Sequence, residues 1–214
     1  MKKRMISVIL CCFWAQYLML NFCFADMLSE AHTYFDNKDY DKALPLLENM
    51  ANEGSLDAYN LLGTMYKRGY AVPKNHNKAI ELYGFAAKKG HAGSQYNLGL
   101  MFESGTGILQ DYSQAIKWYK LAAVQNNVGA LNNLGHIYHN GLGVKINMKE
   151  ACKYYGKAAT MDDALGKCNM AGCYAQGEGV KKDYKKAKIL AKEGYEQGEA
   201  ACNDVWDFFE LAKH

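Results

Sequence analysis

Proline is rare in this chain, with only two among 214 residues, while half of all residues are hydrophobic. Proline interrupts helices because it lacks a backbone donor, so its scarcity leaves long stretches free to be helical. This apolar fraction is typical of a folded domain and gives no sign of disorder. The composition favours a single all-α domain.

A large excess of positive charge is missing as well. Three basic residues at positions 2–4 precede an apolar run over 5–20, and Cys23 and Ala25 place small residues at −3 and −1 of a cleavage site. This pattern predicts a signal peptide over residues 1–25, with an uncleaved membrane anchor as the alternative. We therefore expect a periplasmic or secreted protein that has no contact with the membrane after cleavage.

Removing that segment changes the charge. The chain has 25 basic and 22 acidic residues, and three of the basic ones lie at positions 2–4, so the mature protein carries no net charge. Nucleic-acid binding requires a basic surface, and the neutral balance argues against it.

Catalytic motifs are absent. The chain contains no Ser-x-x-Lys, His-Glu-x-x-His, Gly-x-Ser-x-Gly or P-loop pattern. His136 and His139 are three residues apart but lack a third ligand nearby in sequence, and there is no Cys-x-x-Cys pair. We predict no catalytic residue, no cofactor and no metal site.

What the chain does contain is a repeat with a period of 36 residues. The repeated pattern is Leu-Gly-x-x-Tyr-x-x-Gly-x-Gly-Val followed by Lys-x-Ala-x-x-Tyr-Tyr-x-x-Ala-Ala, seen most clearly over residues 133–159. The columns keep their register over four units, as in Leu62-Gly63, Leu98-Gly99, Leu134-Gly135 and Met170-Ala171.

Each unit has the pattern of a helical hairpin. Apolar residues at i, i+3 and i+4, such as Leu134, Ile137 and Tyr138, form the stripe of a first helix, here called helix A. Gly141 suits the left-handed position that ends this helix, and Asn147 is a typical N-cap for the second helix, helix B. Equivalent N-caps are expected at Asp39, Asn75, Asp111 and Asp183. Neighbouring hairpins must stack to cover their apolar faces.

These motifs resemble the Sel-one-like repeat (SLR) family, relatives of the tetratricopeptide repeats, and the chain looks like an exported, bacterial-type member. The resemblance implies an α/α solenoid of stacked hairpins over residues 26–214. We assign to it a first hairpin at 27–54, repeats at 57–91, 93–127, 129–163 and 165–199, and a capping helix at 199–212. Pro45 falls in the second helix of the first hairpin, where it predicts a kink or a late helix start.

Four cysteines remain outside the signal peptide, all in the last third of the chain: Cys152, Cys168, Cys173 and Cys202. In an exported protein they allow two disulfides with three possible pairings. Cys152 and Cys173 occupy apolar columns and could instead be small core residues. Cys168 and Cys202 could be bridged. A cysteine-rich SLR subfamily has one regular bridge per repeat, and these spacings do not reproduce it.

The family resemblance also implies that helix A lines a concave binding surface. Five columns of helix A vary between units, and we expect them to lie off the apolar stripe. Asn97, Asn133 and Asn169 share one of these columns and suggest a ladder of amides able to bind a peptide backbone, with solvated surface as the alternative. The predicted partner-binding residues are Tyr59, Arg68, Tyr96, Asn97, Asn133, His136, Asn140, Asn169 and Gln176.

We accordingly expect a monomeric, non-enzymatic interaction module that binds a protein or peptide. The family contains adaptors, host-interaction factors and effector-immunity proteins, and each role remains open for this chain. The alternative is a penicillin-binding or weakly β-lactamase-like enzyme, as described for some cysteine-rich SLR proteins. The missing serine–lysine motif argues against it.

Overall fold

The computed structural model describes residues 26–202, and in this range the regular structure is entirely helical. The predicted signal peptide and the predicted capping helix, apart from its first four residues, lie outside the described residues. The helices are α1 (26–36), α2 (Tyr40–Asn52), α3 (Leu56–Arg68), α4 (His76–Lys88), α5 (Ala92–Ser104), α6 (Tyr112–Ala123), α7 (Val128–Asn140), α8 (Met148–Thr160), α9 (Ala164–Gln176) and α10 (Tyr184–Glu196), followed by a 3₁₀ turn at Ala200–Cys202. None of the described helices is long and apolar enough to cross a membrane.

The chain divides into two compact units between Lys89 and Gly90. In the first unit α3 packs against both α2 and α4. Its core is built from small and flexible side chains, including Ala43, Leu47 and Met65, all fully buried. Pro45 lies inside α2, which begins at Tyr40, so the late helix start is wrong.

The second unit contains three helical hairpins, α5–α6, α7–α8 and α9–α10, and consecutive hairpins pack through α6–α7 and α8–α9. Its first core cluster joins Tyr119 of α6 to Leu134 and Ile137 of α7. A second joins Tyr155 of α8 to Met170 of α9. The hairpins thus cover one another's apolar faces, as the repeat pattern predicts.

Side-chain caps start most of the helices. Asn147 accepts a hydrogen bond from the backbone N–H of Glu150 at 3.1 Å, and the predicted caps at Asn75, Asp111 and Asp183 do the same three residues on. Asp39 occupies the N-cap position of α2 as predicted, but its side chain makes no cap bond and pairs with Lys42 at 3.3 Å.

Glycine ends the A helices as predicted. Gly141 has a φ of +71°, in the left-handed region that side chains with a Cβ seldom occupy, and its N–H bonds to the carbonyl of Ile137. The same position is held by Gly69, Gly105 and Gly177.

A second glycine lets the two helices of a hairpin approach closely. A Cβ added to Gly63 would lie 2.6 Å from Cε1 of Tyr83, and one added to Gly99 would lie 2.5 Å from the same atom of Tyr119. Gly135 meets Tyr155 in the same way. These distances are too short for two carbon atoms, so each helix B tyrosine requires a glycine opposite it.

The last hairpin changes both partners together. Ala171 stands where the other three repeats have glycine, and Ala191 stands where they have tyrosine. Both side chains are fully buried and lie in one core cluster. Once the ring is absent, the facing position has room for a Cβ. The two substitutions that distinguish this repeat therefore have one steric cause.

Two disulfides hold α9 on both sides. Cys152 of α8 is bonded to Cys173, and Cys168 is bonded to Cys202 of the 3₁₀ turn. The first pairing resolves the alternatives left by the sequence, since these two cysteines occupy core positions and are also bridged. Gly194 of α10 makes room for the second bridge, because a Cβ there would lie 2.8 Å from the sulfur of Cys168.

We predict that Gly135→Ala destabilises the protein by about 1–3 kcal/mol, because the added methyl group overlaps the Tyr155 ring. The same change in a Tyr155→Ala background should cost much less, since that double variant reproduces the alanine pair of the last hairpin. Urea unfolding followed by circular dichroism measures both costs.

The matched control is Gly172→Ala, a helical glycine with no atom within 4 Å of an added Cβ. It should be neutral or stabilising by up to about 1 kcal/mol. An equal cost of Gly135→Ala in both backgrounds would contradict the steric explanation.

We predict that reduction of the disulfides lowers the free energy of unfolding. The bridges close loops of 21 and 34 residues, for which loop-closure entropy gives about 3 and about 4 kcal/mol. Urea unfolding with and without dithiothreitol measures the loss. Replacing all four cysteines by alanine should abolish the effect of the reductant, and a reductant effect that persists in this variant would mean that it acts elsewhere.

Candidate functional site

The five variable columns of helix A differ in how far their side chains are buried. In the second unit the column of Gln95, Leu131 and Lys167 is buried, which corrects the expectation that all five columns lie off the core. By contrast, the residues at i, i+3 and i+7 of α7, namely Asn133, His136 and Asn140, run from half-buried to exposed. This spacing places them on one face of the helix.

The same three columns are accessible on the neighbouring A helices of this unit. They hold Asn97, Leu100 and Ser104 on α5, and Asn169, Gly172 and Gln176 on α9. All six are half-buried or exposed. We call these nine residues the helix-A face.

Next to this face lies a polar cluster that joins three helices. The amide of Asn133 donates to the Tyr119 hydroxyl at 2.9 Å and to the Glu103 carboxylate at 3.3 Å. The Tyr119 hydroxyl in turn donates to the same carboxylate oxygen of Glu103. Glu103 belongs to α5, Tyr119 to α6 and Asn133 to α7, so the cluster connects one hairpin to the next.

Burial sets the protonation of the tyrosines around Glu103. It raises the pKa of Tyr119, and the hydrogen bond to Glu103 raises it further. Burial also raises the pKa of Tyr96, and the negative charge of Glu103 adds to this effect. Both phenols therefore stay protonated at neutral pH. The Tyr96 ring lies 5.9 Å from that of Tyr119 and against Gly129, where a Cβ would come within 2.8 Å of it.

Family comparison identifies the fold. The model of the Sel1 repeat matches residues 56–91, 92–127, 128–163 and 164–199. The chain belongs to the Sel1 repeat family. Its repeats are the hairpins α3–α4, α5–α6, α7–α8 and α9–α10, and each matched range begins one residue before the range assigned from the sequence.

Solved structures agree with this assignment. A Sel1 repeat protein from Oxalobacter formigenes is 34% identical, covering 87% of this chain and 75% of that one, with a TM-score of 0.79. A protective antigen of uropathogenic Escherichia coli with an SLR fold is 30% identical, with a TM-score of 0.78; the match covers 86% of this chain and 40% of that one.

An immunity protein from Pseudomonas aeruginosa shares the fold at 18% identity and a TM-score of 0.54, covering 81% of this chain and 68% of that one. A search of curated proteins gives no match. The Sel1 repeat is generally a non-catalytic scaffold for protein–protein interaction.

The Sel1 repeats bring some predicted binding residues together and leave others apart. Tyr96 and Asn133 meet at the Glu103 cluster, and the Asn140 amide donates to the His136 carbonyl on its own helix at 3.0 Å. Asn97, Asn169 and Gln176 lie on the helix-A face. In the first unit Tyr59 packs on Phe85 at 4.2 Å between ring centroids, while Arg68 is exposed at the end of α3.

The proposed asparagine ladder is modified at its centre. The Asn133 amide nitrogen donates to two groups inside the protein, so on this residue the carbonyl oxygen is the atom better placed to meet a ligand. Whether the three asparagines bind a partner remains a prediction.

Sequence reasoning missed Glu103. The sequence did mark this position as unusual. The four repeats have Lys67, Glu103, His139 and Ala175 there, and only one of these residues is acidic. What the sequence did not show is that this carboxylate faces a helix B tyrosine. Lys167 belongs to one of the variable columns expected to lie off the apolar stripe, yet it is buried and pairs with Asp162 and with Glu193 at 3.1 Å.

We predict that Glu103→Ala destabilises the protein by about 1–3 kcal/mol, because the buried Tyr119 hydroxyl loses the acceptor for its proton. Glu103→Gln should recover most of this loss, since its amide oxygen still accepts. Urea unfolding measures the difference. As a control, Glu196→Ala removes an exposed ion pair with Lys192 and should cost less than about 1 kcal/mol. If both Glu103 variants behave like this control, the cluster does not stabilise the fold.

Proposed function

We propose that this Sel1 repeat protein binds a protein or peptide partner on its helix-A face and catalyses no reaction. The observation that supports the proposal is the face itself. On three successive A helices of the second unit the i and i+7 positions of this face hold polar residues, and the i+3 position holds Leu100, His136 or Gly172. All nine residues are accessible, whereas the neighbouring column of Gln95, Leu131 and Lys167 is buried.

The arrangement offers the contacts that a peptide needs. Asn133 and Asn169 carry amide groups, and His136 is an exposed side chain that can donate or accept a hydrogen bond. The polar cluster behind Asn133 restricts its side chain, which lowers the entropy lost on binding. A rigid polar face suits recognition of an extended segment.

We propose that the protein is not an enzyme on the basis of its family and its sequence. The fold is generally a scaffold for interaction, and the chain lacks the serine–lysine, zinc and phosphate-binding motifs described above. We further propose that the protein acts as a monomer and does not bind nucleic acid.

The two disulfides are compatible with a location outside the cytoplasm, as are the bacterial relatives. We propose that the protein is periplasmic or secreted, as its N-terminal sequence indicates. Adaptor, host-interaction factor and effector-immunity protein are three roles that a module of this kind can fill, and the identity of the partner distinguishes them.

Affinity capture tests this function. We expect the tagged protein to retain a stoichiometric partner from periplasmic and secreted fractions, and the purified pair to form a one-to-one complex in calorimetry. His136→Glu, which leaves the Glu103 cluster intact, and the double variant Asn133→Ala with His136→Ala should each weaken the complex about tenfold or more, a loss of roughly 1.4 kcal/mol.

Lys157→Ala is the matched control, since this residue is exposed on helix B of the same repeat. It should leave the affinity unchanged. If the helix-A variants bind as tightly as this control, the partner uses another surface.

A further inference from the structure

The last hairpin carries a pocket that the helix-A face does not include. It has a volume of about 590 Å³ and lies around the turn between α9 and α10. Three of its six lining residues are lysines; the six are Tyr174, Val180, Lys181, Lys182, Asp183 and Lys186. We call it the lysine pocket.

The positive charge of the lysine pocket is not balanced from within. No carboxylate of residues 26–202 lies within 4.0 Å of the ammonium groups of Lys181 or Lys182. Asp183 is 3.8 Å from Lys186, and its other oxygen is occupied by the backbone N–H at the start of α10. One carboxylate therefore faces three ammonium groups.

The turn itself does not require these lysines. The preceding repeat has Lys145, Ile146 and Glu150 at the positions of Lys181, Lys182 and Lys186. The repeat before that has Leu109, Gln110 and Gln114. Because all three turns end helix A with a left-handed glycine and start helix B with a side-chain cap, the same backbone forms without the charges.

Aromatic rings hold two of the ammonium groups. Lys186 lies over the Tyr174 ring at 5.3 Å, and Lys182 lies over the Tyr184 ring at 4.7 Å. A cation–π contact restricts a lysine side chain without neutralising its charge. The pocket thus offers positive charges in restricted positions beside apolar surface from Tyr174 and Val180.

We propose that the lysine pocket binds an acidic segment of a protein partner, with two or three aspartate or glutamate side chains at the lysines and an apolar side chain against Tyr174 and Val180. A concave pocket with an apolar wall suits a peptide better than a flat bilayer surface. A long polyanion such as nucleic acid would meet the exposed carboxylate of Glu178, two residues before Val180 in the same turn. The inference does not depend on the helix-A face, because it uses other residues.

The test uses a fluorescein-labelled 12-residue peptide of Asp, Glu and one Phe, and a second peptide in which Asn and Gln replace every acid. Fluorescence anisotropy near physiological salt should show that the acidic peptide binds at least about tenfold more tightly, as expected for two or three partly exposed ion pairs. Lys181→Glu with Lys182→Glu should abolish binding, and Lys181→Gln with Lys182→Gln should weaken it.

The matched control is Lys145→Glu with Lys157→Glu, which changes the net charge equally in the preceding repeat, at its corresponding turn and on its helix B. It should retain binding. Equal loss in both charge-reversed variants, or equal binding of the amide peptide, would overturn the proposal. It would also be overturned if inorganic phosphate or vesicles containing phosphatidylserine bound the same lysines and the acidic peptide did not.

Discussion

The contact between a helix A glycine and a helix B tyrosine sets the geometry of the repeat. In three hairpins the tyrosine ring lies where a Cβ on the facing residue would be, so that residue must be glycine as long as the tyrosine is present. The interior is close-packed, and an extra methyl group there forces neighbouring side chains out of their preferred rotamers. In the last hairpin Ala171 and Ala191 replace the glycine and the tyrosine. Because no ring is present there, the facing residue can carry a Cβ. The residue at the glycine position of helix A therefore depends on the residue at the tyrosine position of helix B.

The same glycine–tyrosine contact positions part of the candidate site. Gly99 lets the Tyr119 ring lie close to α5, and the Tyr119 hydroxyl contacts Glu103 of that helix and Asn133 of α7. A framework residue of the repeat thereby orients a residue of the helix-A face. The last hairpin lacks this tyrosine, and two disulfides connect its helix A to the neighbouring elements. The lysine pocket occupies this same hairpin.

The glycine ends of the A helices and the five predicted N-cap positions followed from the sequence, because each depends on local backbone chemistry within a few residues. The Asp39 carboxylate pairs with Lys42 and makes no cap bond, a choice between two local partners that residue type alone does not decide. Lys167 failed as a surface position because its side chain is buried, while its ammonium group pairs with the exposed carboxylates of Asp162 and Glu193 from two other segments.

Periodicity by itself determined the family, the number of repeats and the apolar stripe of each helix, since these properties recur every 36 residues. Tertiary structure alone decided which cysteines are bonded, that Glu103 meets Tyr119 and Asn133, and that three lysines surround one pocket. Such contacts join residues from different helices, and their distances depend on how closely the helices pack. A pattern read along one chain carries no direct record of that spacing.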